Sequence, residues 1–158
     1  MLRPTVPADT DALIAMTVAT GVFKPHEIVA LQEVLADYHA TNREFGHVAM
    51  TWEEADGPTG FVYYAPTAMT DRTWELWWIV VKKDHQGSGV GGQALKAVEG
   101  LIRDAGGRLL LIETSSTPPY EPTRRFYVKH RYVVSAQIPD FYADGDDKVV
   151  FWKKLESP

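Results

Sequence analysis

The sequence predicts an α/β (α+β) fold, a central and mostly antiparallel mixed sheet of about seven strands carrying four helices. The order of elements is β-α-α-β-β-β-α-β-α-β-β. Three observations lead there. Residues 74–81 are a run of strand formers, followed by the glycine turn Gln86-Gly87-Ser88-Gly89-Val90-Gly91-Gly92 and an amphipathic stretch that ends at Gly106-Gly107. Ile28, Leu31, Leu35 and Tyr38 fall on one face at helical spacing. The remaining apolar runs are short and bounded by turn residues, as strands are. No composition shift or linker divides the chain, so it reads as a single domain over residues 1–158.

In order, Leu2 to Val6 is a short strand. Asp9 is placed to cap a helix that runs to about Thr20 and stops at Gly21. A second helix starts near Pro25, a favoured first-turn residue. Strands at 47–52 and 60–64 flank the turn Glu54-Ala55-Asp56-Gly57-Pro58. The strand at 74–82 follows. The helix from about Gly89 groups Val90, Ala94, Leu95, Val98, Leu101 and Ile102 on one face, with Glu99 and Arg103 expected as a solvent-side pair. Leu109 to Thr114 is an apolar strand suited to a sheet interior. A short helix covers 121–130, and strands at 132–138 and 148–154 are joined by a polar loop, 139–147.

Composition excludes several classes. There are no cysteines among the 158 residues, which removes disulfides, thiolate metal sites and a thiol nucleophile, and fits a cytoplasmic location. A net charge of −5 argues against a nucleic-acid partner, which needs clustered Lys and Arg. No apolar run approaches the ~18 residues of a membrane span, so no membrane partner is expected. None of the five histidines has metal-ligand spacing, so no metal is expected.

A glycine turn between strand and helix bares backbone N–H groups at the positive end of a helix dipole, which is an anion site. A P-loop needs Gly-Lys-Ser/Thr, and here Gly91 is followed by Gly92 and Gln93. Gly87-x-Gly89-x-x-Gly92 does satisfy the dinucleotide pattern, and Glu113 lies 21 residues beyond it. Only 45 residues then remain, too few for a doubly wound domain.

Gln86-Gly87-Ser88-Gly89-Val90-Gly91 resembles Q/R-x-x-G-x-G/A, the acyl-CoA pyrophosphate loop of the GCN5-related N-acetyltransferases (GNAT). Ile79 and Val81 sit where that family's signature strand has its positions. Tyr120-x-x-Thr123-x-x-Phe126-Tyr127-x-Lys129, leading to Tyr132, is similar to the family's N-x-x-A-x-x-L-Y-x-K segment. Glu75 stands 11 residues before Gln86, the spacing of the general-base glutamate in some members. The resemblance implies the GNAT fold and acetyl transfer from acetyl-CoA to a primary amine, either a small molecule or a peptide N-terminus. It admits a homodimer.

The resemblance assigns roles residue by residue. Gly87, Ser88, Gly89, Val90, Gly91 and Gly92 hold the pyrophosphate. The backbones of Ile79 and Val81 pair with pantetheine, the N–H of Val81 polarising the thioester. Tyr127 protonates the leaving thiolate and Glu75 deprotonates the amine. Tyr120 replaces the family's asparagine at the pantetheine arm, and the hydroxyls of Thr114 to Thr117 are further candidate contacts. Phe23, Trp77, Glu113 and Tyr142 are the candidate acceptor-side residues, Tyr142 by likeness to a final loop. The carboxylates of Glu75, Glu113, Asp140 and Asp144 to Asp147, gathered there, would favour cationic amines over free amino acids, unless Arg124 or Lys24 compensates. Two other readings remain, a non-catalytic acyl-CoA sensor and a dinucleotide-binding oxidoreductase.

Overall fold

The computed structural model describes residues 1–156. The strands are β1 (Leu2–Pro4), β2 (Val48–Glu54), β3 (Gly57–Pro66), β4 (Thr73–Val81), β5 (Leu109–Ser115), β6 (Val133–Ala143) and β7 (Asp146–Lys154). The helices are α1 (Thr10–Ala19), α2 (Pro25–Ala40), α3 (Val90–Asp104) and α4 (Glu121–Lys129). Element order agrees with the sequence reading. The strands form one seven-stranded sheet in the order β1-β2-β3-β4-β5-β7-β6. The β4–β5 pair is parallel, while β1–β2, β2–β3, β5–β7 and β6–β7 are antiparallel. Among the described residues no helix is long and apolar enough to cross a membrane. Two compact units emerge, each from two stretches of chain: Met1–Pro66 with Trp78–Val98, and Thr67–Trp77 with the chain from Glu99 onward.

In the first unit, Leu13, Met16, Leu31, Leu35, Phe61 and Val80 make the core, with Ile14, Phe23 and Trp78 packed at its margin. Tyr38, Ala49 and Tyr63 form a neighbouring cluster. Helix α2 buries Leu31, Leu35 and Tyr38, as their spacing predicts. Each fully buried leucine contributes about 1.5–3 kcal/mol by area removed from water. Asp9 departs from its expected role. It occupies the α1 cap position but makes no cap bond to that helix. Its carboxylate instead accepts from the Val6 N–H at 2.9 Å and from both terminal nitrogens of Arg3. Arg3 also reaches Glu53 at 2.6 Å, so β1 is tied to β2 by a guanidinium between two acids. The Arg3 guanidinium bonded to it holds the Asp9 carboxyl below the usual range.

In the second unit, Leu110 and Ile112 of β5 and Phe151 of β7 are buried, together with Ile102 of α3. The Tyr127 ring of α4 lies 5.5 Å from Phe151 and 5.9 Å from Tyr132. Two expectations for α3 are overturned here. Leu101 is 39% exposed and off the apolar face. Glu99 is buried rather than paired at the surface with Arg103. It accepts from the Tyr132 hydroxyl at 2.9 Å and from Lys153 Nζ at 2.9 and 3.0 Å. Helical position put Glu99 beside the apolar stripe, and its partners come from residues 33 and 54 places away, which periodicity does not register. Gly107 lets the chain turn tightly past Ile102, because a Cβ there would lie 2.2 Å from Ile102 Cγ2 and 2.8 Å from Trp74 Cδ1.

The polar loop expected at 139–147 is mostly strand. β6 runs to Ala143 and β7 begins at Asp146, with Asp144-Gly145 as the turn and Gly145 at φ +78°. The carboxylates fold the hairpin onto itself. Asp140 Oδ1 accepts from the Gly145 N–H at 2.7 Å, and Asp147 Oδ1 accepts from the Asp140 N–H at 2.9 Å. Asp-Gly is a hairpin signal, masked here by the surrounding charge.

Candidate functional site

The glycine turn lies in the first unit. A short 3₁₀ turn, Lys83–His85, follows β4, and the Ser88 amide and hydroxyl both donate to the His85 carbonyl. Gln86 donates through Nε2 to the Val81 carbonyl at 3.1 Å. Gly87 and Gly89 stand at φ +80° and +89°, a region that side-chain-bearing residues rarely adopt. Their own surroundings are open, so the conformation, not crowding within the protein, is what calls for glycine. The first helical bond of α3 is Gln93 N–H to Gly89 carbonyl at 3.0 Å. The amides of Val90, Gly91 and Gly92 therefore have no helical carbonyl to bond, and they stand at the positive end of a 15-residue helix. Ile79 and Val81 are half-buried. His85 lies 2.8 Å from Asp84 and 3.2 Å from Glu54, and these carboxylates, Asp84 first, raise its pKa.

A second constellation occupies the other unit. Glu75 on β4 pairs in register with Leu111 on β5, and Glu113 is two residues further along. Glu75 is half-buried, and Glu113, Lys148 and Trp77 are close enough to act on its carboxyl. Burial first, then the Glu113 charge, pushes the Glu75 carboxyl up to about 7, against a smaller downward pull from Lys148. Lys148 Nζ lies 2.7 Å from Glu113 Oε1 and 4.3 Å from the centre of the Phe141 ring. Phe141 in turn stacks edge-on against Tyr142 at 5.0 Å.

Tyr127 is buried on α4, and burial raises its pKa, so the phenol stays protonated at neutral pH. Tyr120, also buried, ends the 3₁₀ turn before α4. The hydroxyls of the 115–117 segment turn inward. Ser115 Oγ donates to Asp146 at 2.5 Å and contacts Thr117 at 2.7 Å, while Ser116 Oγ accepts from the Asp147 N–H at 2.8 Å. Arg124 donates to the Ser115 and Thr117 carbonyls at 2.8 and 3.0 Å, so it is committed to this segment. Asp146 is buried against Ser115, and Asp140 and Asp147 brace the hairpin. Asp140, Asp146 and Asp147 thus have partners within the hairpin and at Ser115, and of the carboxylates expected to gather at an acceptor, strand register brings Glu75 and Glu113 together.

Of the predicted acceptor residues, Trp77, Glu113 and Tyr142 share a unit with Glu75. Tyr142 lies on β6, a strand and not a loop, 46% exposed. Phe23 is in the first unit, its ring 5.4 Å from Trp78. Sequence reasoning missed Lys148, whose only available signal was its place two residues before Val150 on a strand facing β5. Among the described residues, no group of three or more His, Asp or Glu side chains is arranged to hold a metal ion. The two constellations supply chemistry of different kinds: unpaired amides for an anion, and a carboxylate titrating near neutrality beside a second carboxylate.

The family model for the acetyltransferase (GNAT) family matches residues 15–132. A Desulfovibrio desulfuricans protein assigned to that family is 33% identical over 99% of both chains, with a TM-score of 0.93. A Salmonella typhimurium protein assigned as an acetyltransferase, whose structure holds acetyl-CoA, is 20% identical over 100% of this chain and 95% of its own, at a TM-score of 0.79. An aminoglycoside 6′-N-acetyltransferase in complex with coenzyme A is 17% identical over 100% and 98%, at 0.76. No curated protein matches the sequence.

Proposed function

The chain belongs to the GNAT family of acetyltransferases, and we propose that it acts as one domain transferring the acetyl group of acetyl-CoA to a primary amine, a small molecule or a peptide N-terminus. The observation that carries the donor assignment is the turn from Gln86 to Gly92, where the α3 amides are offered to an anion. Pyrophosphate binds the amides of Gly87, Gly89, Val90 and Gly91, with Ser88 and Gly92 shaping the turn. Pantetheine pairs with the backbones of Ile79 and Val81, the Val81 N–H serving as donor to the thioester oxygen, and Tyr120 is the further pantetheine contact that the family resemblance supports. Phe23, Trp77 and Tyr142 are the acceptor-side candidates that the family resemblance supports.

The amine reaches the reaction as ammonium, since alkylamines titrate near ~10.4. Glu75 takes its proton, directly or through water. The nitrogen lone pair forms the new C–N bond, the thioester carbonyl becomes an oxyanion, and collapse expels the C–S pair onto sulfur. Tyr127 protonates that thiolate, while the nitrogen's surplus proton leaves to water, from which Tyr127 is reprotonated after turnover. A carboxylate at about 7 is a stronger base than an ordinary glutamate and is still half ionised at neutral pH. The test is release of free CoA thiol from acetyl-CoA across a panel of amino acids, peptides, polyamines and drug-like amines. Steady release with one class supports the reading. Acetyl-CoA binding without turnover favours a sensor, and NAD(P)H binding without CoA binding favours the dinucleotide reading.

A further inference from the structure

The strand register of the second unit aligns three charged side chains. Glu75 pairs with Leu111, and Glu113, two residues on, projects from the same face of β5. Glu113 pairs with Val150, and Lys148, two residues back on β7, shares that face. Carboxylate, carboxylate and ammonium form a diagonal row across three neighbouring strands. The ammonium is held from two sides, by Glu113 at 2.7 Å and by the face of Phe141 at 4.3 Å. Two carboxylates on one face of adjacent strands favour sharing a proton, because both charges side by side are costly. A cation fastened to one of them decides where that proton resides.

We propose that Lys148 and Glu113 are positioning residues, an ion pair that keeps Glu113 charged and so makes Glu75 the proton-exchanging member of the pair at neutral pH. The proposal rests on Glu75 being the base. The groups facing Glu75 are Glu113 from β5, Lys148 from β7 and the Trp77 indole of its own strand. Perturbing the two outer members has opposite signs. Lys148→Met removes a cation, so the pair binds its first proton more tightly. Glu113→Gln removes the like charge, so Glu75 binds its proton less tightly.

Carbon-13 NMR titration of the glutamate carboxyls in the full chain, alongside the pH dependence of kcat/KM, reads both effects. Lys148→Met should move the Glu75 midpoint and the acid limb up by about one pH unit, and Glu113→Gln should move both down by about as much. Lys148→Arg should restore the original profile. A merely structural role would lower activity without shifting midpoints. Midpoints that stay put, or that shift in the same direction in both variants, overturn the proposal. Glu113→Gln, nearly isosteric, carries the test by itself if Lys148→Met fails to fold. The titration needs no turnover. Midpoints that shift as expected in a protein that acetylates no amine would uphold the row and discard the acetyl-transfer reading.

Discussion

Replacing Lys153 by methionine keeps most of the packing of its stem and removes the cation beneath Glu99. In the native chain the Lys153 ammonium makes three donations, two to Glu99 at 2.9 and 3.0 Å and one to the His130 carbonyl at 3.2 Å. Without them, Glu99, whose side chain is 9% exposed, keeps only the Tyr132 hydroxyl. Removing one partner of a buried ion pair costs about 3–5 kcal/mol. Lys153 is 25% exposed, so water relieves part of this, and about 2–3 kcal/mol is the expected loss. At about 2–4 °C per kcal/mol for a chain of this size, Tm should fall by roughly 5–10 °C. Urea unfolding checks it, with an unchanged slope showing that stability and not compactness has moved. Adding Glu99→Leu should recover most of the loss, leaving about 1 kcal/mol for the orphaned Tyr132 hydroxyl. A Lys153→Met loss below about 0.5 kcal/mol, or additive losses in the double variant, would refute the reasoning.

Tyr127→Phe keeps the ring contacts and deletes the proton, so turnover should fall about 10- to 1000-fold with acetyl-CoA affinity nearly unchanged; a rate within twofold of the parent would leave Tyr127 a packing residue. Gly89→Val forces a β-branched side chain into a φ of +89°, at a cost of roughly 1–2 kcal/mol to the turn, and should weaken acetyl-CoA binding in calorimetry while the fold persists. Unchanged affinity would remove the pyrophosphate assignment. Glu75→Gln should abolish the acid limb near pH 7 in kcat/KM and lower activity about 100- to 10,000-fold. The same change should stabilise the chain at pH 8. A carboxyl raised in the folded state contributes stability that is intact below the unfolded value of 4.5 and is lost as pH rises through about 7. Tm of the Gln variant should exceed the parent's at pH 8 and match it near pH 4, and the reverse order would contradict the burial of Glu75.

Element order was legible because helical spacing and strand runs are local signals, and α2 shows it, with Leu31, Leu35 and Tyr38 buried as read. The glycine turn was legible for the same reason, since Gly87 and Gly89 advertise a backbone that only glycine adopts readily. What local patterns could not convey was partnership across the sheet. Glu99 looked like a surface residue because its hydroxyl and ammonium partners are remote in sequence, and the strand position of Lys148 said nothing of Glu113 until register set the two together. The acidic hairpin misled in the opposite sense. Its charges suggested a substrate-facing turn, whereas Asp140, Asp146 and Asp147 are absorbed by backbone amides and Ser115. Composition counts charges and cannot say which of them are already answered.

The two compact units are interleaved along the chain, each taking one segment from the other's side of the sequence. During synthesis from the N-terminus, the first unit lacks its Trp78–Val98 segment until most of α3 has emerged, and residues 67–77 wait for everything after Glu99. A single cut after Val98 keeps both segments of the first unit but carries 67–77 along with them, whereas no single cut isolates the second unit. β4 and α3 each change unit midway, at Trp77/Trp78 and at Val98/Glu99. A chain that buries its strands through such long-range pairing closes large loops before the contacts reward it, which favours slow, late and cooperative folding. Ribosome-stalled fragments ending near residue 98 would be the earliest to hold all the segments of the first unit.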